Sequence, residues 1–259
     1  MDNVRDLLTN LLAAGLFSLL GFLAGISRSL VRSYRRRRAH RFWRRFRPGG
    51  LHVVLAQFRG RSQLRWEPSG VFGTGDLEAL QELQSIMSTL GQPSFDVIYE
   101  GDIGRNDKRH NLVVIGGPDG NSVAREMLAG VARLRRVGLA FHKRPFSRTG
   151  LRDLREGRTY TPKRRSRAIV DYGMLICAEN PFDTRRRVLV VAGVYGYATL
   201  AGVMLVNNPA FLDHPLVRSG APFECSYAAE VVGGVVIEPI REQWWIRALP
   251  SVHPSLDGR

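Results

Sequence analysis

Two glycine-bearing junctions are the places where this sequence could hold a ligand. In the first, the apolar run Leu112 to Ile115 meets Gly116, Gly117 and Pro118, and an amphipathic helical pattern begins near Ser122. Glycines there let the backbone turn sharply and approach a bound group. Asn121 or Ser122 would cap the helix by accepting its first N–H bonds. Free N–H groups at the positive end of the helix dipole would favour an anion such as phosphate. The second junction is Gly193-Val194-Tyr195-Gly196-Tyr197-Ala198-Thr199. There Tyr195 or Tyr197 could stack on a base, and Thr199 could bond a phosphate. Each junction also has a plainer reading, a tight turn between strand and helix with its tyrosines buried. Two more loops follow apolar runs, Arg59 to Ser62 and Gly101 to Asp107.

Other chemistries find less support. Neither junction has the GxGxxG spacing or the lysine of GxxxxGK[ST], which argues against P-loop hydrolysis of a triphosphate. GxSxG and HExxH are absent. Asp102 and Glu179 are the candidate acid or base residues, and Asp102 with Asp107 could hold a metal, although loop carboxylates more often cap or meet solvent. Cys177, His142 and Asp171 could be written as a triad, but Cys177 sits within an apolar run, where an inert buried thiol is expected. His52, His110 and His142 show no ligand spacing, and no CxxC or Cys/His pattern suggests zinc. The expected ligand is of nucleotide type, with no metal and no identified cofactor.

The elements that would position these loops follow from hydrophobic period. Strands are expected at 51–58, 95–100, 111–117 and 171–181 and from 186 to the second junction, with helices at 76–91 and 122–138 and after the second junction. The runs LVVIGG and VLVVAG are continuously apolar, as in parallel strands buried on both faces. Gly233-Gly234 between CSYAAEVV and VVIEPI predicts a hairpin, and WWIRALP a closing strand. The stretch 145–168 is basic and punctuated by glycine and proline, and reads as an exposed loop. The fold class is therefore α/β: a Rossmann-like three-layer sandwich over 51–250, mostly parallel, with a C-terminal antiparallel hairpin and a short tail at 251–259. The strand–GGPxxN–helix junction, together with DYG at 171–173 and NPF at 180–182, resembles Rossmann-like domains of prokaryotic defence and signalling proteins. That resemblance implies a nucleotide-sensing domain fused to a membrane segment, and assigns no catalytic residue.

Ahead of this domain, Leu7 to Ile26 gives 20 residues without a charge, enough to cross roughly 30 Å of hydrocarbon. A transmembrane helix is expected within 1–27 and an arginine-rich juxtamembrane linker at 28–50. Ten arginines lie between Arg28 and Arg47 with no acidic residue among them, two thirds of the net +15. The positive-inside rule then places the N-terminus outside and the α/β domain in the cytoplasm, at the inner (cell) membrane. The same arginines would attract anionic lipid headgroups, with Tyr34, Phe42, Trp43 and Phe46 suited to the headgroup layer; nucleic acid is not favoured as a partner. Gly21 and Gly25, with Ala14 and Ser18 at the same spacing, offer a face for homo-oligomerisation. The function expected is sensing of a nucleotide or other phosphorylated ligand beneath the membrane, as a defence or signalling effector; the alternatives are a membrane-anchored nucleotide or NAD hydrolase using the same cleft, and a self-associating membrane scaffold without small ligand.

Overall fold

The structure, a computed structural model, describes residues 34, 36–58, 67, 70–91, 95–142, 149–166, 168–237 and 244–252. The apolar stretch 7–26 lies outside the described residues. Among the described residues no helix is long and apolar enough to cross a membrane.

The protein is a mixed α/β fold built on a nine-stranded sheet. Four strands run parallel: β2 (Asp96–Tyr99), β1 (Leu51–Leu55), β3 (Asn111–Ile115) and β9 (Asp183–Gly193). Every residue of β3 is buried, as an apolar run between two helical layers requires. Antiparallel pairing begins at β8 (Ala168–Asn180), which forms a long hairpin with β9. It continues through β10 (Phe223–Val232), whose outer edge carries β11 (Val235–Ile237) and β12 (Trp244–Ala248). The Gly233-Gly234 turn joins β10 to β11, and both glycines have positive φ, 60° and 86°. A short β7 (Lys163–Arg165) pairs with the start of β8.

The side-chain alternation of the strands divides the core in two. Val53, Leu55, Val113, Ile115, Leu189 and Val191 face one cluster, covered by α2 (Thr74–Thr89) and α4 (Gly196–Leu205). Val54, Leu112, Val114, Val188 and Val190 face the other, covered by α3 (Ser122–Leu134). The amphipathic pattern of α3 buries Val123, Ala124, Met127 and Val131, while Arg125 and Arg133 stay outside.

Two regions differ from the sequence reading. The first is the arginine-rich segment, expected as a linker up to residue 50. Helix α1 (36–43) and the turn after it instead bury Ala39, Phe42, Trp43 and Phe46 in the first cluster. The three aromatic rings pack on one another with centroids 5.1 to 5.8 Å apart. These rings serve the protein core and not a headgroup layer; of the four aromatics only Tyr34 is exposed, stacked beneath the Arg38 guanidinium. Arg36, Arg37 and Arg41 occupy the outer face of the helix, while Arg38 turns to Asp213, so high charge and a buried apolar stripe coexist. The second region is 145–168. It contains β5 (Gly150–Asp153) and β6 (Arg158–Tyr160), which form a three-stranded sheet with β4 (Leu139–His142). These strands are short and polar, and their turn is held by Asp153. Its carboxylate accepts the Arg155 and Glu156 N–H groups and pairs with Arg247 at 2.5 Å. That ring of donors keeps it below the usual carboxylate range despite its desolvation.

Candidate functional site

Because β1, β2, β3 and β9 are parallel, their carboxyl ends share one edge of the sheet. The two glycine junctions leave β3 and β9 at that edge and lie against each other. Gly116 has φ 106°, its N–H donates to the Val191 carbonyl at 3.0 Å, and a Cβ there would strike the Ala56 methyl. A Cβ on Gly117 would lie 3.3 Å from the Gly193 carbonyl oxygen. Gly116 is thus fixed by the turn, whereas a side chain at Gly117 would ask only a small shift of the Gly193 carbonyl.

The helix starts are already furnished with acceptors. Asn121 caps α3, accepting from the Val123 and Ala124 N–H groups at 3.0 and 3.1 Å. Its amide also donates to the Ile115 carbonyl, tying the cap to the strand end. The Ser122 N–H donates to the Glu100 carboxylate at 2.8 Å, and the Ser122 hydroxyl bonds the same oxygen. The Arg125 N–H meets the Asn121 carbonyl. All four leading N–H groups of α3 are therefore paired, and Glu100 stands where an anion was expected. Helix α4 is treated the same way by Asp171 of β8, whose two oxygens accept the N–H groups of Tyr195 (3.2 Å), Ala198 (2.8 Å) and Tyr172 (2.8 Å). Carboxylates at helix N-termini are favourable partners for the dipole. Even so, burial pushes Asp171 up to about 7, against the pull of those donors.

A third carboxyl was not singled out in the sequence. Asp76 lies in the first turn of α2, buried, with burial raising it to about 6. The signal that could have found it is Gly73-Thr74-Gly75-Asp76, a glycine-rich helix start in the connection after β1. Asp76 reaches across to α4, where it is bonded by the Thr199 side chain. Thr199 in turn accepts the Gly193 N–H at 3.2 Å. The hydroxyl expected to bond a phosphate is therefore spent within the protein, and its residue is only 1 % exposed. Thr199→Val keeps the shape but takes a partner from the buried Asp76 and the half-buried Gly193 N–H. We expect a loss of about 1–3 kcal/mol in denaturant unfolding and a further rise of the Asp76 pKa, because its one opposing bond is gone; unchanged stability would show that this chain of bonds is idle.

The outer rim of the edge is aromatic. Phe58 after β1, Tyr99 at the end of β2 and Tyr195 after β9 are 42, 41 and 48 % exposed. Phe58 lies over Gly120 and beside Gly73, positions where a Cβ would meet its ring. Tyr99 is braced by Phe72, centroids 5.1 Å apart. Tyr197, by contrast, packs on the first core cluster, so of the two candidate tyrosines Tyr195 is the open one. Gly196 serves packing too, since it touches Gly75 where α2 and α4 cross.

The remaining sequence candidates fall elsewhere. Glu179 pairs with Arg187 in the β8–β9 register, six residues and thus roughly 20 Å from Gly193 along β9. It is held there by Arg135 in a two-point ion pair at 2.7 and 3.1 Å. Asp102 is exposed in the turn after β2, on the edge that carries the glycine loops. Cys177 is buried, and burial raises its thiol. It stands six residues along β8 from Asp171, too far for a shared proton. The DYG and NPF stretches have structural roles. Asp171 caps α4, and Gly173 lies under the Tyr227 ring. Asn180 shapes the β8–β9 turn by accepting the Phe182 N–H while its amide donates to the Lys108 and His110 carbonyls. No protein-family model matches the chain, and no curated protein matches it.

Proposed function

We propose that the α/β domain senses a nucleotide-type ligand at the carboxyl edge of its parallel strands, within a Rossmann-like architecture anchored to the membrane by residues 7–26. The observation that carries the reading is the exposed aromatic rim of Phe58, Tyr99 and Tyr195 above adjoining glycine loops. Aromatic faces stack on bases at roughly 1–3 kcal/mol each. Glu100 and Asp171 already occupy the helix starts where a bare phosphate would sit, so the edge favours stacking on a base over capture of a phosphate. The arginine-rich start of the domain, turned outward on α1, suits anionic headgroups. Helix self-association through Gly21 and Gly25 would make the signal a change in oligomer packing.

The test is binding of a panel of nucleosides and nucleotides by calorimetry on the detergent-solubilised chain. Tyr195→Ala should weaken the hit about 5- to 150-fold, by the stacking energy above. Gly117→Val should abolish it while the fold, read by circular dichroism, survives. Normal binding by both variants would refute a site at this edge. A second reading, hydrolysis of the same ligand, is favoured by Asp76, because a carboxyl raised to about 6 suits proton transfer near neutral pH. Product formation lost in Asp76→Asn separates that reading from sensing without turnover.

A further inference from the structure

The opposite edge of the sheet, at the amino ends of β1 and β3, brings a residue of β1 to two that lie close together in the sequence just before β3. His52 is the second residue of β1, and His110 immediately precedes β3, its parallel neighbour. Their rings stack with centroids 4.4 Å apart and planes within 9°. Asp107 enters from the 3-10 turn Asp107–Arg109, and one ligand atom from each of the three lies within 4.8 Å of the others. We propose that His52, His110 and Asp107 form a binding site for a divalent transition-metal ion of the Zn2+ class, distinct from the glycine-loop edge.

Three observations support it. The donor set is right: two imidazoles and one carboxylate are borderline-hard ligands that suit Zn2+ and leave a coordination position open. Both Nδ1 atoms are buried and have no hydrogen-bond partner among the described residues. Buried polar atoms are rarely left so, and an ion would satisfy them. The ligands are also held from outside, as metal ligands usually are. The Asn180 amide grips the His110 and Lys108 carbonyls at 2.7 Å, and the Gly104 N–H orients Asp107 through Oδ2 at 2.9 Å. Asp96, with Oδ2 3.7 Å from His52 Nε2, adds a nearby negative charge. Bonds of about 2.0–2.1 Å set the bound nitrogens roughly 3.3 Å apart, so binding would tilt the two rings out of their parallel stack.

Such an ion would clamp the 107–110 turn to β1, and through Asn180 to the β8–β9 turn. The test is titration of the metal-stripped full chain with Zn2+ by calorimetry, and with Co2+ by visible absorption. We expect one equivalent to bind and the melting temperature to rise with free Zn2+, as linkage requires. His52→Gln and His110→Gln should each weaken Zn2+ at least about 100-fold, since outer-shell changes alone cost about 10–100-fold. The Co2+ spectrum of the unaltered chain should carry the intense d–d bands of a four- or five-coordinate site. If a glutamine variant fails to fold, histidine modification by diethyl pyrocarbonate on the unaltered chain decides: Zn2+ must protect His52 and His110. No stoichiometric uptake, uptake unchanged in both folded variants, or no protection would overturn the proposal.

Discussion

Gly75→Ala should destabilise the protein by about 3 kcal/mol or more, the upper end of the usual overpacking cost. The reason is where the added methyl would go. A Cβ on Gly75 would overlap the carbonyl of Gly196 and lie 2.6 Å from its Cα. Backbone cannot rotate aside as a side chain does, so α2 and α4 would have to move apart. That motion would also part Asp76 from Thr199, adding the loss of a buried bond. Gly196→Ala is the milder partner, because its Cβ would stand 3.0 Å from Gly75. The measurement is urea unfolding at constant slope, with the order Gly75→Ala worse than Gly196→Ala. For a domain of this size, 3 kcal/mol corresponds to a fall of roughly 6–12 °C in melting temperature. Equal stability of the unaltered protein and Gly75→Ala would mean that the helices do not cross this closely.

The second large effect belongs to Asp171. Asp171→Ala leaves the Tyr172, Tyr195 and Ala198 N–H groups without their acceptor and removes the cap of α4. At about 1 kcal/mol or more for each donor, the loss should be about 3 kcal/mol or more near pH 5. It should shrink as pH rises. The folded protein holds the Asp171 proton up to about 7, against an ordinary 3.8. Between those values the folded state binds more protons than the unfolded state, so this group's contribution is full below about pH 4 and is lost as pH passes 7. The linked free energy is on the order of 4 kcal/mol. Asp76 adds a smaller change of the same sign between 3.8 and about 6. Unfolding free energies measured from pH 4.5 to 8 should therefore decline in the unaltered protein and decline less in Asp171→Ala. Parallel profiles would show that Asp171 is ionised throughout.

The strands β1, β3 and β9 and the helices α2 and α3 were legible because their signals are local. A buried parallel strand is a run of Val, Leu and Ile, and α3 shows both its apolar stripe and its Asn121 cap in consecutive residues. The proximity of the two glycine loops also follows from parallel strands that share an edge. What could not be read is what depends on partners far along the chain. Thr199 offers a hydroxyl in sequence, and only the fold shows Asp76 and the Gly193 N–H consuming it. Asp171 looks like part of a strand, and its task is to hold a helix 27 residues away. His52 and His110 have no spacing that marks a ligand pair, since it is the β1–β3 register that stacks them. The β5–β6 strands escaped because each is three or four residues long and ordered by Asp153 and Arg247.

The burial of Phe42, Trp43 and Phe46 governs how the chain can be cut. A truncation placed at the composition change near Pro48 would look natural, yet it would withdraw three interlocked rings from the main core. Each large aromatic lost from a core costs about 3–5 kcal/mol, which for three rings is comparable to the whole of the roughly 5–15 kcal/mol that holds most domains folded. A domain freed from residues 7–26 should therefore begin no later than about Tyr34.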